Sequence, residues 1–142
     1  METKKPNTIT NKNEGERMSI FILFSIIFCH IIADFHIQTS FMAKFKQKEE
    51  WRGYGKEYLR DWIPVLTVHA FSWSFFTFLP LVYYVYTKDI TFYTLAIVIV
   101  LNAIVHFIID DQKCNRFNIN LIEDQCLHIL QMVLTFMIVL LI

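Results

Sequence analysis

Charged side chains are scarce in this chain: Asp, Glu, Lys and Arg together make up 18% of it, where a soluble domain carries about a quarter. The shortfall is concentrated in long apolar runs, which excludes an ordinary soluble globule. Net charge is also missing, since 13 basic residues balance 13 acidic ones. No global field therefore attracts nucleic acid, and any steering must be local. Cysteine is limited to Cys29, Cys114 and Cys126. These form no CxxC pair and no disulfide framework, and the two that stand in or beside apolar runs read as small buried thiols. Cys126 stands two residues before His128, a spacing that does not bring the pair together on a helix, so a cysteine nucleophile is not expected. With only three glycines, the lone Gly53-Tyr54-Gly55 lacks the spacing of a nucleotide loop. There is no serine nucleophile elbow and no nucleic-acid-binding module.

What the chain has in abundance is apolar and aromatic residues, 55% hydrophobic with 14 phenylalanines. Four segments, at about residues 18–41, 62–86, 90–110 and 121–142, approach or exceed the ~20 residues needed to cross a bilayer as a helix. They do not alternate with period two, and hydrocarbon admits only helices or closed barrels. The expected fold is therefore all-α: a polytopic membrane protein forming an antiparallel bundle of four transmembrane helices over residues 18–142. Residues 1–17 form a polar, flexible tail. Met18 to Phe28 has the apolar character of a signal-peptide core but is followed by His30, Asp34 and Phe35 rather than a small-residue cleavage site, so no cleavage is expected. Pro64 falls in the first turn of the second segment, where it is tolerated, and Pro80 should kink or end that helix.

Orientation follows from Lys and Arg in the short loops. Lys44, Lys46, Lys48, Arg52, Lys56 and Arg60 lie in the first loop, and Lys113 and Arg116 in the third, eight in all. The opposite side has five, Lys4, Lys5, Lys12, Arg17 and Lys88. The positive-inside rule places loops one and three in the cytoplasm and both termini outside. The aromatic residues Trp51, Tyr54, Tyr58 and Trp62, and Tyr83, Tyr84, Tyr86 and Tyr93, suit an interfacial belt.

Against this apolar background the ionisable residues are informative. The first segment carries His30, Asp34 and Gln38; the second His69; the third Asn102, His106, Asp110 and Lys113; the fourth Asp124, His128, Gln131 and Thr135. Steps of three and four put each set on one helical face. Threading the helices up and down brings the end of the first, the start of the second, the end of the third and the start of the fourth to one membrane face. The four clusters thus share one depth, on the side of the charged loops, and are expected to line a cavity open to the cytoplasm. His36 points elsewhere.

Three readings compete for this cluster. Interhelical hydrogen bonding would fix packing, though such bonds average well below 1 kcal/mol per pair in membranes. A proton or ion path would use the same groups but should set carboxylates at several depths. A divalent metal site uses them most economically, because buried carboxylates in a membrane normally face inward and pair, and imidazole with carboxylate suits zinc, manganese or iron. On that third reading His30, His69, His106, Asp110 and His128 are the candidate ligands, and Asp34, Asp124 and Lys113 the candidate catalytic groups. Gln38, Asn102, Gln125 and Gln131 are further polar site candidates. A bound ion would make hydroxide available, and an Asp or unliganded His would serve as general base. The substrate would be a membrane lipid or lipid-linked group at the interface, with Lys113 pairing with an anionic phosphate. The first loop, six basic against four acidic residues (Glu49, Glu50, Glu57, Asp61), reads as a topology anchor rather than a headgroup site.

The stretches HIIADFHIQ (His30 to Gln38), VHA around His69, HFIIDDQK (His106 to Lys113) and EDQCLH (Glu123 to His128) resemble the bacterial integral membrane proteins grouped as domain of unknown function 3307 (DUF3307). The family's histidine, small residue before Asp-Phe, and following glutamine match His30, Ala33, Asp34, Phe35 and Gln38. Its His-x3-Asp-x2-Lys matches His106, Asp110 and Lys113, and its Asp-Gln-x2-His matches Asp124, Gln125 and His128. Asp111 adds a second carboxylate beside Asp110, but the four-residue step from His106 favours Asp110. The resemblance runs from Met18 onward. It implies a helical protein of the bacterial inner membrane and supplies no activity.

Overall fold

The computed structural model describes residues 8–87 and 89–142. Among them every regular element is helical. Helix α1 spans Thr8–Ile32, α2 Ser40–Phe45, α3 Trp62–Phe78, α4 Val82–Tyr86, α5 Phe92–Cys114 and α6 Leu121–Leu141. Four helical stretches, Glu14–Ile37, Lys56–Tyr86, Phe92–Cys114 and Leu121–Leu141, are long and apolar enough to cross a membrane. Helix α1 begins at Thr8, so part of the expected polar tail is helical. Residues 1–7, with Lys4 and Lys5 of the charge count, and Lys88 lie outside the described residues.

The first expected helix, 18–41, requires correction. After Ile32 the chain makes a π-helical turn over Ala33–Ile37, and Gln38 (ψ 108°) and Thr39 (ψ 157°) are extended. The Thr39 hydroxyl accepts from the Met42 amide at 3.2 Å and starts α2 as a new helix. The second expected helix behaves as its prolines require: Pro64 lies in the first turn of α3, and Pro80 sits in a 3₁₀ turn, Leu79–Leu81, between α3 and α4. Helix α5 starts at its Thr91 cap, which accepts from the Thr94 amide. It runs a turn beyond the expected end at residue 110. Helix α6 opens on a capping box, in which Asn120 Oδ1 accepts from the Ile122 and Glu123 amides while Glu123 accepts from the Asn120 amide at 2.8 Å. Phe117, at φ 55°, supplies the left-handed residue that lets the chain reverse before α6.

Helix α1 packs on α3 and α6, and α5 packs on α3 and α6. Ala70 on α3 and Ala103 on α5, each 1% exposed, allow a close approach. The Ser74 hydroxyl crosses from α3 to the Ile99 carbonyl on α5 at 2.7 Å. Ile22, Ile26, Leu66, Phe78, Met132 and Phe136 fill the interior, whereas Phe21, Phe24, Phe28, Ile97 and Leu101 stand out from the surface. The connection between α2 and α3 is a series of short turns in which Phe45, Trp51 and Tyr54 cluster. Gly55 there adopts φ 124°, so the Gly53–Gly55 pair serves a loop turn. This loop meets the α5–α6 turn: the Lys48 amide donates to Asn115 Oδ1 at 2.6 Å, and Asn115 Nδ2 donates to the Lys46 carbonyl at 3.3 Å.

Candidate metal centre

Where those two charged loops meet, the polar faces of the helices converge. Asp110, 1% exposed, lies at the centre. Its Oδ2 is 3.3 Å from His69 Nε2 and 3.9 Å from His106 Nε2, and its Oδ1 is 3.6 Å from His128 Nε2. His69 Nε2 lies 3.3 Å from His106 Nε2 and 3.7 Å from Asp34 Oδ1. On α6, Asp124 Oδ1 is 3.4 Å from His128 Nε2, one turn further along. Three helices and the π turn thus supply three imidazoles and three carboxylates to one spot. The π turn has a positional role, because a wider turn changes the phase of α1 at Asp34.

His106, Asp124 and His128 are fully buried. The expected open cavity is therefore a closed cluster here, and the least buried members, Asp34, Gln38, Gln125 and Lys113, form its rim. Burial makes the pairing of each group decisive. Lys113 donates to Asp124 Oδ2 at 2.6 Å, and Gln125 donates from Nε2 to both Asp124 Oδ2 at 3.1 Å and Asp34 Oδ2 at 2.9 Å. Asp124 Oδ1 and both ring nitrogens of His128 have no hydrogen-bond partner among the described residues, nor does His106 Nδ1.

His30 departs from its expected role as a ligand. The Trp73 indole N–H donates to His30 Nδ1 at 2.9 Å, which fixes the neutral tautomer with hydrogen on Nε2; that hydrogen faces Gln125 Oε1 at 3.1 Å. With both nitrogens engaged, His30 orients Gln125, and through it Asp34 and Asp124, instead of offering a lone pair. Asn102 and Gln131 also lie apart. Gln131 Nε2 donates to the carbonyl and the side-chain oxygen of Asn102, and Thr135 donates to the same side-chain oxygen, in a network about one turn away from the histidines. Asp111 pairs with Arg116 at 2.7 Å, so Asp110 is the carboxylate that faces the imidazoles.

Two members were not among the expected site residues. Lys46, counted from the sequence as a loop cation, is 6% exposed and donates to Asp110 Oδ2 at 2.6 Å. With its amide oxygen turned toward that lysine, Gln38 accepts from Lys46 Nζ at 2.8 Å and donates to the Asp34 carbonyl at 3.2 Å. Trp73 stacks on His106 with ring centres 4.0 Å apart, and His106 stacks on His128 at 4.3 Å. Its position four residues after His69, on the same helical face, was the available signal. Lys46 gave none, because only the break at Gln38–Thr39 and the turn of α2 bring it inward.

The donor set fits a metal ion. Ligand bonds of about 2.0–2.2 Å in a tetrahedral shell set neighbouring donors about 3.3–3.6 Å apart. Four separations in the cluster compare with this spacing: His69–His106 and His69–Asp110 at 3.3 Å, His128–Asp110 at 3.6 Å and His106–Asp110 at 3.9 Å. Two sets of three could hold an ion, Asp34 with His69 and His106, and His106 with Asp110 and His128, each with donor atoms within 4.8 Å of one another.

The family described as protein of unknown function (DUF3307) matches residues 22–142, and the chain belongs to it. Comparison with curated proteins and with solved structures finds no match to either.

Proposed function

We propose that this DUF3307 protein crosses a membrane as an antiparallel four-helix bundle and holds a divalent transition metal, zinc, manganese or iron, for hydrolysis at the membrane interface. One observation carries the metal: imidazole nitrogens and carboxylate oxygens gathered at full burial, among which His128 Nε2 and Asp124 Oδ1 face each other at 3.4 Å without forming a hydrogen bond. His69, His106, Asp110 and His128 are the ligands of this reading. A divalent ion would supply a water of lowered pKa. Asp124 is the proton acceptor of this reading: Lys113 and Gln125 hold its Oδ2, and its Oδ1 is turned toward His128 at 3.4 Å. Asp34, tied to Gln125 and near His69, orients the His69 ring. The substrate class is an ester or phosphoester of a lipid or lipid-linked group. The contact between the loop before α3 and the α5–α6 turn supports placing both on one side, and their basic residues favour the cytoplasm.

Elemental analysis of detergent-purified protein tests the metal. Near-stoichiometric metal in the native chain, lost in both His106→Ala and His128→Ala, is the expected outcome. A native chain that stays metal-free after exposure to each ion, and whose unfolding is unchanged by chelator, rejects the reading.

A second reading has its own observation. The Lys46–Asp110 and Lys113–Asp124 pairs already neutralise two of the three carboxylates, which is what a purely structural polar core requires.

A further inference from the structure

The segment between the π turn and α3 is held to the bundle by charge and hydrogen bonds rather than by apolar burial. Of residues 40–61, Lys46 alone is buried. Phe41, Phe45 and Trp51 pack on one another, with successive ring centres 4.7 and 5.1 Å apart, and the Trp51 indole donates to the Phe45 carbonyl at 2.7 Å. These contacts make the segment a unit without fastening it to the helices. A cleft of about 330 Å³ lies between its Phe41 and Met42 and the Pro64, Val65 and Val68 side chains of α3. Among the described residues, its hydrogen bonds to α5 and the turn after it reach only Asp110 and Asn115. Lys46 Nζ donates to Asp110 Oδ2 at 2.6 Å, the Lys48 amide donates to Asn115 Oδ1 at 2.6 Å, and Asn115 donates back to the Lys46 carbonyl at 3.3 Å. At the start of the segment Gln38 and Thr39 are extended, a short non-helical link of the kind that absorbs a hinge motion.

We propose that residues 40–61 form a strap that Lys46 latches onto the cluster, and that a divalent ion bound at Asp110 releases the latch and opens the site. The inference rests on the metal reading above and adds how the closed cluster is entered. Without metal, the ammonium is the counter-charge of Asp110, and lifting the strap would leave that buried carboxylate without it, a costly state. A divalent ion removes the penalty by supplying the charge itself. It also sets a second cation on the carboxylate that Lys46 contacts, and the two repel at close range where little water screens them. The ion therefore binds the open chain more tightly than the latched one, which is the condition for a ligand to shift a conformational equilibrium. Lys113 has no such role: it belongs to α5 itself, so no separate segment moves with it. Opening would also provide the exchangeable coordination position that metal-assisted hydrolysis requires.

The test places a short-range fluorophore pair at Arg52→Cys on the strap and Asn118→Cys after α5, both exposed positions. The full detergent-purified chain is used, with Cys29, Cys114 and Cys126 replaced by alanine. Energy transfer reports the separation, and elemental analysis of the same samples reports the bound ion after exposure to zinc, manganese or iron. In chelator a single high-transfer population is expected. Metal loading should raise the ratio of low- to high-transfer molecules about tenfold, within the roughly 5–150-fold range of coupling between sites. Asn115→Ala removes the strap's other tie and leaves the cluster intact. It should lower transfer already in chelator and, because coupling is reciprocal, tighten metal binding by a similar factor; a purely structural Asn115 predicts no gain in affinity. Metal that binds with transfer unchanged overturns the inference and leaves the metal reading standing, as does an Asn115→Ala chain that opens without binding metal more tightly. A chain that takes up none of the three ions rejects the metal reading, and this inference with it.

Discussion

At the scale of single residues, the cluster depends on how its two ammonium groups are used. Lys46 and Lys113 each sit 2.6 Å from a carboxylate oxygen, which leaves Asp34 as the one carboxylate of the three without an ammonium partner. A metal bound at Asp110 would share that carboxylate with Lys46. Lys46→Met therefore separates the two readings of the site. In chelator the variant should lose stability on the scale of a broken buried ion pair, about 3–5 kcal/mol. If the cluster binds metal, zinc or manganese should restore most of that loss, because the ion replaces the missing charge at Asp110. If the polar core is structural, added metal should change nothing. Unfolding in mixed detergent–SDS micelles, with and without each ion, measures both. The residues visible in the sequence were those at regular helical steps on single helices. Asp34, His69, His106, Asp110, Asp124 and His128 all meet, because a spacing of three or four fixes a face whatever the neighbours do. His30 read as a ligand because its spacing to Asp34 does not show its partner across the bundle, the Trp73 indole that donates to its Nδ1.

At the scale of elements, length and apolarity were enough to locate α3, α5 and α6, and prolines were enough to locate the bend between α3 and α4. The end of α1 was not legible. No proline or glycine occurs between Ala33 and Ser40, so no local breaker marked the π turn or the extension at Gln38–Thr39. What ends the helix there is the Thr39 cap together with the inward pull of Lys46 on Asp110, a contact between residues 64 apart. The opposite case is the start of α6. Asn120 and Glu123 are a capping pair three residues apart, and the structure forms both of their reciprocal bonds. Asp124 follows directly, so the cap also sets the position of one wall of the site. Asn120→Ala should cost about 1 kcal/mol, read as a lower SDS fraction at the unfolding midpoint. Gln125→Ala makes a useful contrast: it leaves the cap intact while removing the link among His30, Asp34 and Asp124.

For the whole molecule, the arrangement of charge is the feature that spacing alone could not establish. The loop before α3 and the α5–α6 turn are far apart in sequence, yet Lys48 and Asn115 join them directly. Tyr84 at the other end of the α3–α4 segment donates to Ser19 of α1. The helix ends that carry the histidine cluster therefore sit together, and the tyrosine-rich turn between α4 and α5 lies with the start of the apolar part of α1. If these helices cross a membrane, one face receives Lys44, Lys48, Arg52, Lys56, Arg60 and Arg116, and the cluster lies just beneath it. Retention of Lys and Arg in the cytoplasm then orients the chain, although Lys46 and Lys113 are engaged in ion pairs and should contribute less than a simple count assigns them. Compartment reporters fused after Asp61 and after Asp89 should give opposite signals, cytoplasmic for the first and external for the second. Replacing Arg52, Lys56 and Arg60 with glutamine should weaken that preference and produce mixed signals at both positions, whereas Lys46→Gln should not, because its charge is neutralised inside the fold. The same signal at both positions in the native chain would mean that α3 and α4 do not span, and the site would then lose its place at a membrane face.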